Sequence, residues 1–154
     1  MTRTRGVALG LVVAIASCGE PSSSTGSSAV DGPVIRYPEA EPGVDGADAE
    51  VRGRLDLDGD CLYVAALDEV GERYPVVWPA GTAWDAEAQA VVGPSDERMP
   101  VGSEVHGGGG FFYLEDVERL LGAEAEALAG RCVDNTDGEI AIVNNSDDAI
   151  GPAR

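Results

Sequence analysis

The stretch VRGRLDLDGDCLYVA, residues 51–65, decides the fold. From Val51 to Leu57 every second residue is apolar or glycine and those between are charged, a period of two that predicts a β-strand with one buried face. Asp58-Gly59 follows as a turn pair that accepts positive φ, and the apolar run Cys61–Ala65 predicts a returning strand. The folded part of the chain is therefore expected to begin with a β-hairpin.

Short apolar runs alternate with turn residues downstream of this hairpin. A helix is predicted from Leu114 to Leu128, where apolar residues recur at helical spacing and Gly122 can divide it in two. We expect a mainly β domain with one helix over residues 51–145, built as a small β-barrel or sandwich, with an OB-like barrel as one option. Further strands are predicted at Tyr74–Trp78, at Ala90–Val92 and at Glu139–Val143, and Met99–His106 is predicted to be a turn that leads into a strand ended by the glycines 107–110.

Residues 1–17 have the three parts of a secretory signal peptide. Arg3 and Arg5 form a basic end, residues 7–16 are apolar, and small residues follow. The apolar run is too short to cross a bilayer as a helix, which takes about 20 residues. We therefore predict that residues 1–17 direct export of the chain.

The end of this signal, Ile15-Ala16-Ser17-Cys18, resembles the lipobox of bacterial lipoproteins. In that family the cysteine sulfur receives a diacylglycerol and the chain is cut just before it. The resemblance implies that Cys18 is the lipidated first residue of a protein anchored to the cell membrane on its extracytoplasmic side, because two acyl chains anchor stably. The alternative is an ordinary secretory signal with an accidental cysteine.

Residues 18–50 and 146–154 flank the predicted domain. The first segment is rich in Ser, Pro, Gly and acids, so it can bury too little apolar surface to offset its ordering entropy. It is predicted to be a flexible tether, in which Val34–Tyr37 is a possible short strand. The second segment is predicted to be a disordered tail.

The chain has three cysteines, an odd number for an exported protein. Assigning Cys18 to the lipid leaves Cys61 and Cys132, which can form a disulfide in an oxidising compartment. Such a bridge would close a loop of about 70 residues and contribute roughly 4 kcal/mol in the chain-entropy model. Two buried free thiols are the alternative.

Acidic residues outnumber basic ones by 28 to 10, for a net charge of −18. Removing the signal with its two arginines leaves 8 − 28 = −20. A domain this acidic repels phosphate backbones and anionic lipid surfaces, so nucleic acid is not an expected partner.

A spaced pattern runs from Cys61–Val64 through Trp78–Thr82 to Val101–Val105 and the glycines 107–110. It resembles small exported proteins of actinobacteria over about residues 51–144. The resemblance implies a small exported β domain and no particular activity.

Two acidic turns are weak candidates for a metal site. Asp56, Asp58 and Asp60 offer three carboxylates in five residues, but an EF-hand would need Gly and Glu where Cys61 and Leu67 stand. Residues 135–139 form the second turn, which the disulfide would bring nearer. Both can equally be hairpin turns with solvated acids.

The run His106–Gly109 is similar to the oxyanion-hole glycines of lipases and esterases. Those enzymes also need a Gly-x-Ser-x-Gly elbow and a larger sheet, and the sequence has no such elbow. Phosphate binding at the following helix is disfavoured by Glu104, Glu115 and Asp116. A glycine hinge at the end of a strand is the preferred interpretation.

Trp78, Trp84 and Tyr74 are candidates for an exposed aromatic platform that binds sugar or peptide. In so small a core, Trp78 is more naturally its main filler, and Trp84 is the better candidate for exposure.

These features together predict a lipid-anchored extracytoplasmic protein that acts as a binding or interaction module, not an enzyme. Its expected partners are the membrane, through Cys18, and an envelope protein or glycan; no cofactor is expected. The alternatives are an envelope hydrolase with an Asp/Glu pair and a calcium-dependent adhesion module.

Overall fold

The computed structural model describes residues 30–37, 49–68, 71–135, 137–144 and 150–153. The predicted signal peptide and Cys18 lie outside these residues. The strands are β1 (Val30–Asp31), β2 (Val34–Arg36), β3 (Ala49–Asp58), β4 (Cys61–Ala65), β5 (Arg73–Trp78), β6 (Ala83–Asp85), β7 (Ala90–Val92), β8 (Arg98–Pro100), β9 (Glu104–Tyr113), β10 (Glu139–Val143) and β11 (Gly151–Pro152), and the helices are α1 (Leu114–Leu121) and α2 (Ala123–Gly130).

Five strands close into a barrel in the order β3-β4-β5-β10-β9, with β9 returning to β3. Neighbouring strands are antiparallel except β5 and β10, which are parallel with Val76 opposite Ala141. The prediction of a small, mainly β barrel is confirmed. The strand order, first-second-third-fifth-fourth, is that of an OB-like barrel, the option named from the sequence.

The predicted hairpin is β3 and β4. Asp58 pairs with Cys61 beside the turn, and Gly59 takes φ 58°, the left-handed conformation that Asp-Gly turns require. Leu55, Leu62 and Val64 are buried on the inner face, as the period of two predicts.

Strand β9 differs from its prediction, because the glycines 107–110 do not end it. The strand runs through them to Tyr113, pairing with β3 in its first half and with β10 in its second. A Cβ on Gly109 would lie 2.4 Å from the carbonyl oxygen of Ile142 and 2.7 Å from Val51 Cγ2. The glycines therefore let β9 curve between two partners that approach it closely.

The core has two layers. The inner layer fills the barrel, and Trp78 is completely buried within it. The outer layer lies between the barrel and the helices, where Val117 and Leu121 pack with Tyr63 and Ile140. The structure has two helices where the sequence predicts one that Gly122 can divide. They are separated at Gly122, which has φ 92°.

A three-stranded meander, β6-β7-β8, joins the end of β5 to the start of β9 and packs against the inner core through Val91 and Met99. Strand β6 was not predicted. It is followed by a turn in which the amides of Glu87 and Ala88 donate to Asp85 Oδ1. These two hydrogen bonds, together with the one that the Arg98 guanidinium donates to Asp85 Oδ2, lower the pKa of the Asp85 carboxyl group.

Residues 30–37 of the predicted tether are ordered, and the short strand that the sequence allowed at Val34–Tyr37 is present as β2. Strand β2 pairs in parallel with β5, with Ile35 opposite Val77, and β1 folds back on β2. Val34, Ile35 and Tyr37 are buried, and the Tyr37 hydroxyl donates to the carbonyl oxygen of Val143 at 3.1 Å. Three large apolar side chains in four residues bury enough surface to order the segment.

The tail prediction for residues 146–154 is wrong at residues 150–152. Ile150 is 2% exposed within the inner core, and β11 pairs with β9, with Gly151 opposite His106. A single isoleucine and two ladder positions hold the chain there. The described parts of the domain thus extend from residue 30 to residue 153.

These additions make the two ends of the barrel unlike. We call one the sealed end, where β5 finishes and the meander, β1-β2 and the segment 150–152 gather. The other is the open end, where β3 and β5 begin and β4 and β9 finish.

Candidate binding site at the open end of the barrel

Two aromatic rings continue the inner core to the surface at the open end. Tyr74 precedes the inward-facing Val76 by two residues on β5, and Phe111 lies opposite Ala141 on β9, so both rings follow the inner face. Their centroids are 4.8 Å apart and their planes make an angle of 60°, an edge-to-face contact.

These rings border a depression of about 350 Å³. Leu67 completes the rim of the depression. The side chains of Leu67 and Phe111 are each 38% exposed. Tyr113, 51% exposed, is two residues beyond Phe111 on the same face of β9. In the described part of the chain these three are the exposed large apolar residues, and such clustering marks binding surfaces. The lining residues are Arg52, Ala66, Leu67, Asp68, Tyr74 and Phe111.

The rim also carries charge. The Tyr74 hydroxyl donates to Glu72 Oε2 at 2.9 Å, which fixes a carboxylate beside the ring. Asp68 adds a second acid, and Arg52 is the one basic side chain among the described residues of the lining. The depression thus brings apolar and polar side chains together in about equal parts, and its polar groups can fix the orientation of a ligand.

The structure separates the three residues of the predicted aromatic platform. Trp78 is completely buried, as its preferred assignment to the core predicted, and it is therefore not part of a ligand surface. Trp84 is half-buried on β6 at the sealed end, where its Cδ1 would lie 2.8 Å from a Cβ on Gly32. Only Tyr74 reaches the open end. Its partner Phe111 was missed because β9 was predicted to stop at the glycines; extending the period of two through them places Phe111 inward.

The candidate metal ligands of the first acidic turn surround an arginine instead. Arg73 Nη2 lies 2.8 Å from Asp58 Oδ2, and Arg73 Nη1 lies 3.5 Å from Asp56 Oδ2. Arg73 Nε donates to Asp134 Oδ2 at 2.8 Å. The carboxylates of Asp134 and Asp58 raise the pKa of Arg73. Asp56 and Asp58, which the sequence offered as weak candidates for metal ligands, are thus counter-ions of a guanidinium in the fold.

Asp60, the third candidate ligand, is exposed at the hairpin tip. Over the described ranges, no three His, Cys, Asp or Glu side chains converge on a position where a metal ion could bind.

The predicted disulfide joins Cys61 to Cys132, with the Cα atoms 5.6 Å apart. Near it the Tyr63 hydroxyl donates to the carbonyl oxygen of Cys132 at 3.0 Å, and the Arg73 guanidinium lies 4.2 Å above the Tyr63 ring. Burial and the nearby Asp134 raise the pKa of Tyr63. The bridge brings the two acidic turns together, as expected, and Arg73 links them.

The other sequence candidates lie within regular structure. The glycines after His106 are paired in β9, and His106 itself is exposed opposite Arg52. Of the side chains that the structure describes, Thr82 is the one buried polar residue, so no described Asp or Glu is buried. A hydrolase with two converging buried carboxylates would need such a pair.

No family model matches the chain, and searches of curated proteins and of solved structures gave no significant match. Neither described helix is long and apolar enough to cross a membrane. The open-end site therefore rests on geometry alone.

Proposed function

We propose that this chain is a lipid-anchored extracytoplasmic binding module whose ligand surface is the open end of the barrel. One observation carries the proposal. The inner core is covered at the sealed end, but at the open end it reaches solvent through Tyr74, Phe111 and Leu67 around a depression. The mouth of a small barrel is a common position for binding sites.

The anchor is supported by the lipobox resemblance at Cys18 and by the pairing of the remaining two cysteines, which suits an oxidising compartment. Eleven residues, 19–29, separate Cys18 from Val30, so the link can span at most about 40 Å. Val30 pairs with Ile35 beside Val77, near the finish of β5. An anchor would thus join the chain at the sealed end of the barrel, opposite the proposed ligand surface.

Neither alternative function is favoured by an observation. The turn acids that could have bound calcium form ion pairs with Arg73, and the described carboxylates are not buried as a hydrolase pair would be. The binding module is therefore the one function that we propose.

The test is crosslinking and pull-down of the lipidated protein from its native envelope. We expect a reproducible partner that is lost with Phe111→Ala, because the substitution removes half of the ring pair. Phe111→Tyr is the matched control, since it keeps a ring in the same place and should retain the partner. Cys18→Ala should release the protein from the membrane fraction.

Two results would overturn the proposal. A partner captured equally by Phe111→Ala and the wild type would move the ligand surface away from the open end. Membrane partitioning unchanged by Cys18→Ala, measured by detergent extraction, would remove the lipid anchor.

A further inference from the structure

We infer that the open-end site binds a basic segment of a partner protein, with an arginine or lysine side chain placed against the rings of Tyr74 and Phe111. This inference rests on the proposed function and adds the chemistry of the partner. It follows from the shape of the ring pair, from the charges around it, and from a similar arrangement inside the same molecule.

The ring pair offers surfaces that attract cations. A guanidinium or ammonium group within about 6 Å of a ring centroid is attracted by the negative face of the ring. Because Tyr74 and Phe111 meet edge to face at 60°, their faces point in different directions and border one depression. Leu67 and Ala66, which also line it, provide apolar contacts for the methylene stem of the entering side chain.

The charge of the rim favours a positive group. Among the described residues the lining holds one acid and one base, Asp68 and Arg52, and Glu72, hydrogen-bonded to the Tyr74 hydroxyl at 2.9 Å, adds a further negative charge beside the lining. The mature chain as a whole carries 8 basic and 28 acidic residues, a net charge of −20. Such a field speeds the approach of basic partners and repels acidic ones.

Arg73 shows how the same groups hold a cation elsewhere in the molecule. Its guanidinium lies 4.2 Å above the Tyr63 ring and pairs with the carboxylates of Asp58 and Asp134. A tyrosine ring flanked by carboxylates is also what Tyr74 offers, with Glu72 and Asp68 near it. The open end thus presents to a partner the surroundings that Arg73 has within the fold.

The experiment uses three synthetic peptides, Ac-Ala-Leu-X-Leu-Ala-amide, in which X is arginine, its neutral isostere citrulline, or glutamate. Each is titrated into the full chain carrying Cys18→Ser, and binding is followed by calorimetry and by shifts of the Tyr74 and Phe111 NMR signals. We expect the arginine peptide to bind roughly tenfold more tightly than the citrulline peptide, the size of one cation–π and ion-pair contribution. The glutamate peptide should bind most weakly.

Variants of the chain test the geometry with the arginine peptide. Phe111→Ala should abolish measurable binding and Phe111→Tyr should retain it. Glu72→Gln should weaken binding severalfold. Arg52→Gln should strengthen it severalfold, because the substitution removes the positive charge of Arg52 from the lining. Raising the salt concentration should weaken binding of the arginine peptide and leave the citrulline peptide unchanged.

Three outcomes would overturn the inference. Tighter binding of the glutamate peptide, lost with Arg52→Gln, would mean that the site takes anionic groups. Equal binding of all three peptides would mean an apolar groove without charge selection. No binding of any peptide, together with an envelope partner that still depends on Phe111, would refute the basic segment and leave the binding module standing.

Discussion

The sealed and open ends of the barrel are built from the same alternating strands, yet the aromatic side chains that face inward at the two ends differ in burial. Trp78 finishes β5 at the sealed end and is completely buried, whereas Tyr74, four residues earlier on the same face, is half-buried at the open end. The difference lies in what covers each end. The sealed end is covered by the meander, by β1-β2 and by Ile150. Whether an inward-facing ring is buried in the core or reaches the surface therefore depends on whether other segments of the chain cover that end of the barrel.

Replacing Trp78 by alanine should have the largest effect on stability. The substitution empties the largest fully buried side chain of the inner core, which costs roughly 3–5 kcal/mol of the free energy of unfolding. Urea unfolding measures the change. Trp78→Phe is the control and should cost clearly less, because Nε1 has no hydrogen-bond partner among the described residues. A small loss with Trp78→Ala would mean that the sealed end is loosely packed.

Breaking the disulfide should be the next most costly change and should affect both ends. The bridge spans 71 residues, so its removal by Cys61→Ser with Cys132→Ser should cost roughly 4 kcal/mol. Unfolding followed at Trp78 and Trp84 near the sealed end should coincide with unfolding followed by NMR at Phe111. Separate transitions would show that the two ends unfold independently. Alkylation of both thiols in the exported protein without reductant would contradict the bridge itself.

The barrel was predictable because its main strands carry their own signal. The alternation in residues 51–57 and the apolar run 140–143 identify strands without knowledge of the rest of the chain. The cysteine count identified the disulfide by elimination. These are local patterns or simple arithmetic, so they can be recognised from a single sequence.

The segments that cover the sealed end were only partly predictable: a short strand at Val34–Tyr37 was named as possible, but its pairing with β5, the strand β6 and the burial of Ile150 were not predicted. Val34–Tyr37 sits in a segment with the composition of a linker, and Ile150 stands alone in a polar tail. Their burial depends on a gap beside β5 and on the edge of β9, which exist only once the barrel has closed. The candidate site was not predictable for the same reason. No pattern in the neighbouring residues shows that Trp78 is buried while Tyr74 is half-buried. Nor does any such pattern predict that Arg73 lies among the acids of the turn.

The Tyr37 hydroxyl provides a pH-dependent test of the sealed end. Burial raises the pKa of Tyr37 to about 12, so the folded state holds this proton more tightly than the unfolded state. The stabilisation is complete below the unfolded pKa of about 10 and is lost as the pH rises through the folded value. The free energy of unfolding should therefore fall between about pH 10 and pH 12, by up to roughly 3 kcal/mol.

Tyr37→Phe is the control for this alkaline loss. It should cost about 1 kcal/mol near neutral pH, the value of the hydrogen bond to Val143, and should remove most of the difference between pH 10 and 12. An equal alkaline loss in the variant would assign the titration to another group, such as Tyr63, whose pKa is also raised.

Replacing Phe111 by alanine should have the smallest effect on stability and the largest on binding. The ring is 38% exposed and meets Tyr74 edge to face, so its removal forfeits one such contact and part of a burial, roughly 1 kcal/mol. Urea unfolding of Phe111→Ala and of Trp78→Ala under the same conditions compares the two losses in the free energy of unfolding. A loss as large as that of Trp78→Ala would mean that Phe111 is core and that the two ends are equivalent. A small loss of stability together with a lost partner would separate binding from folding, since a ring that contributes little to the fold is then held exposed for its ligand.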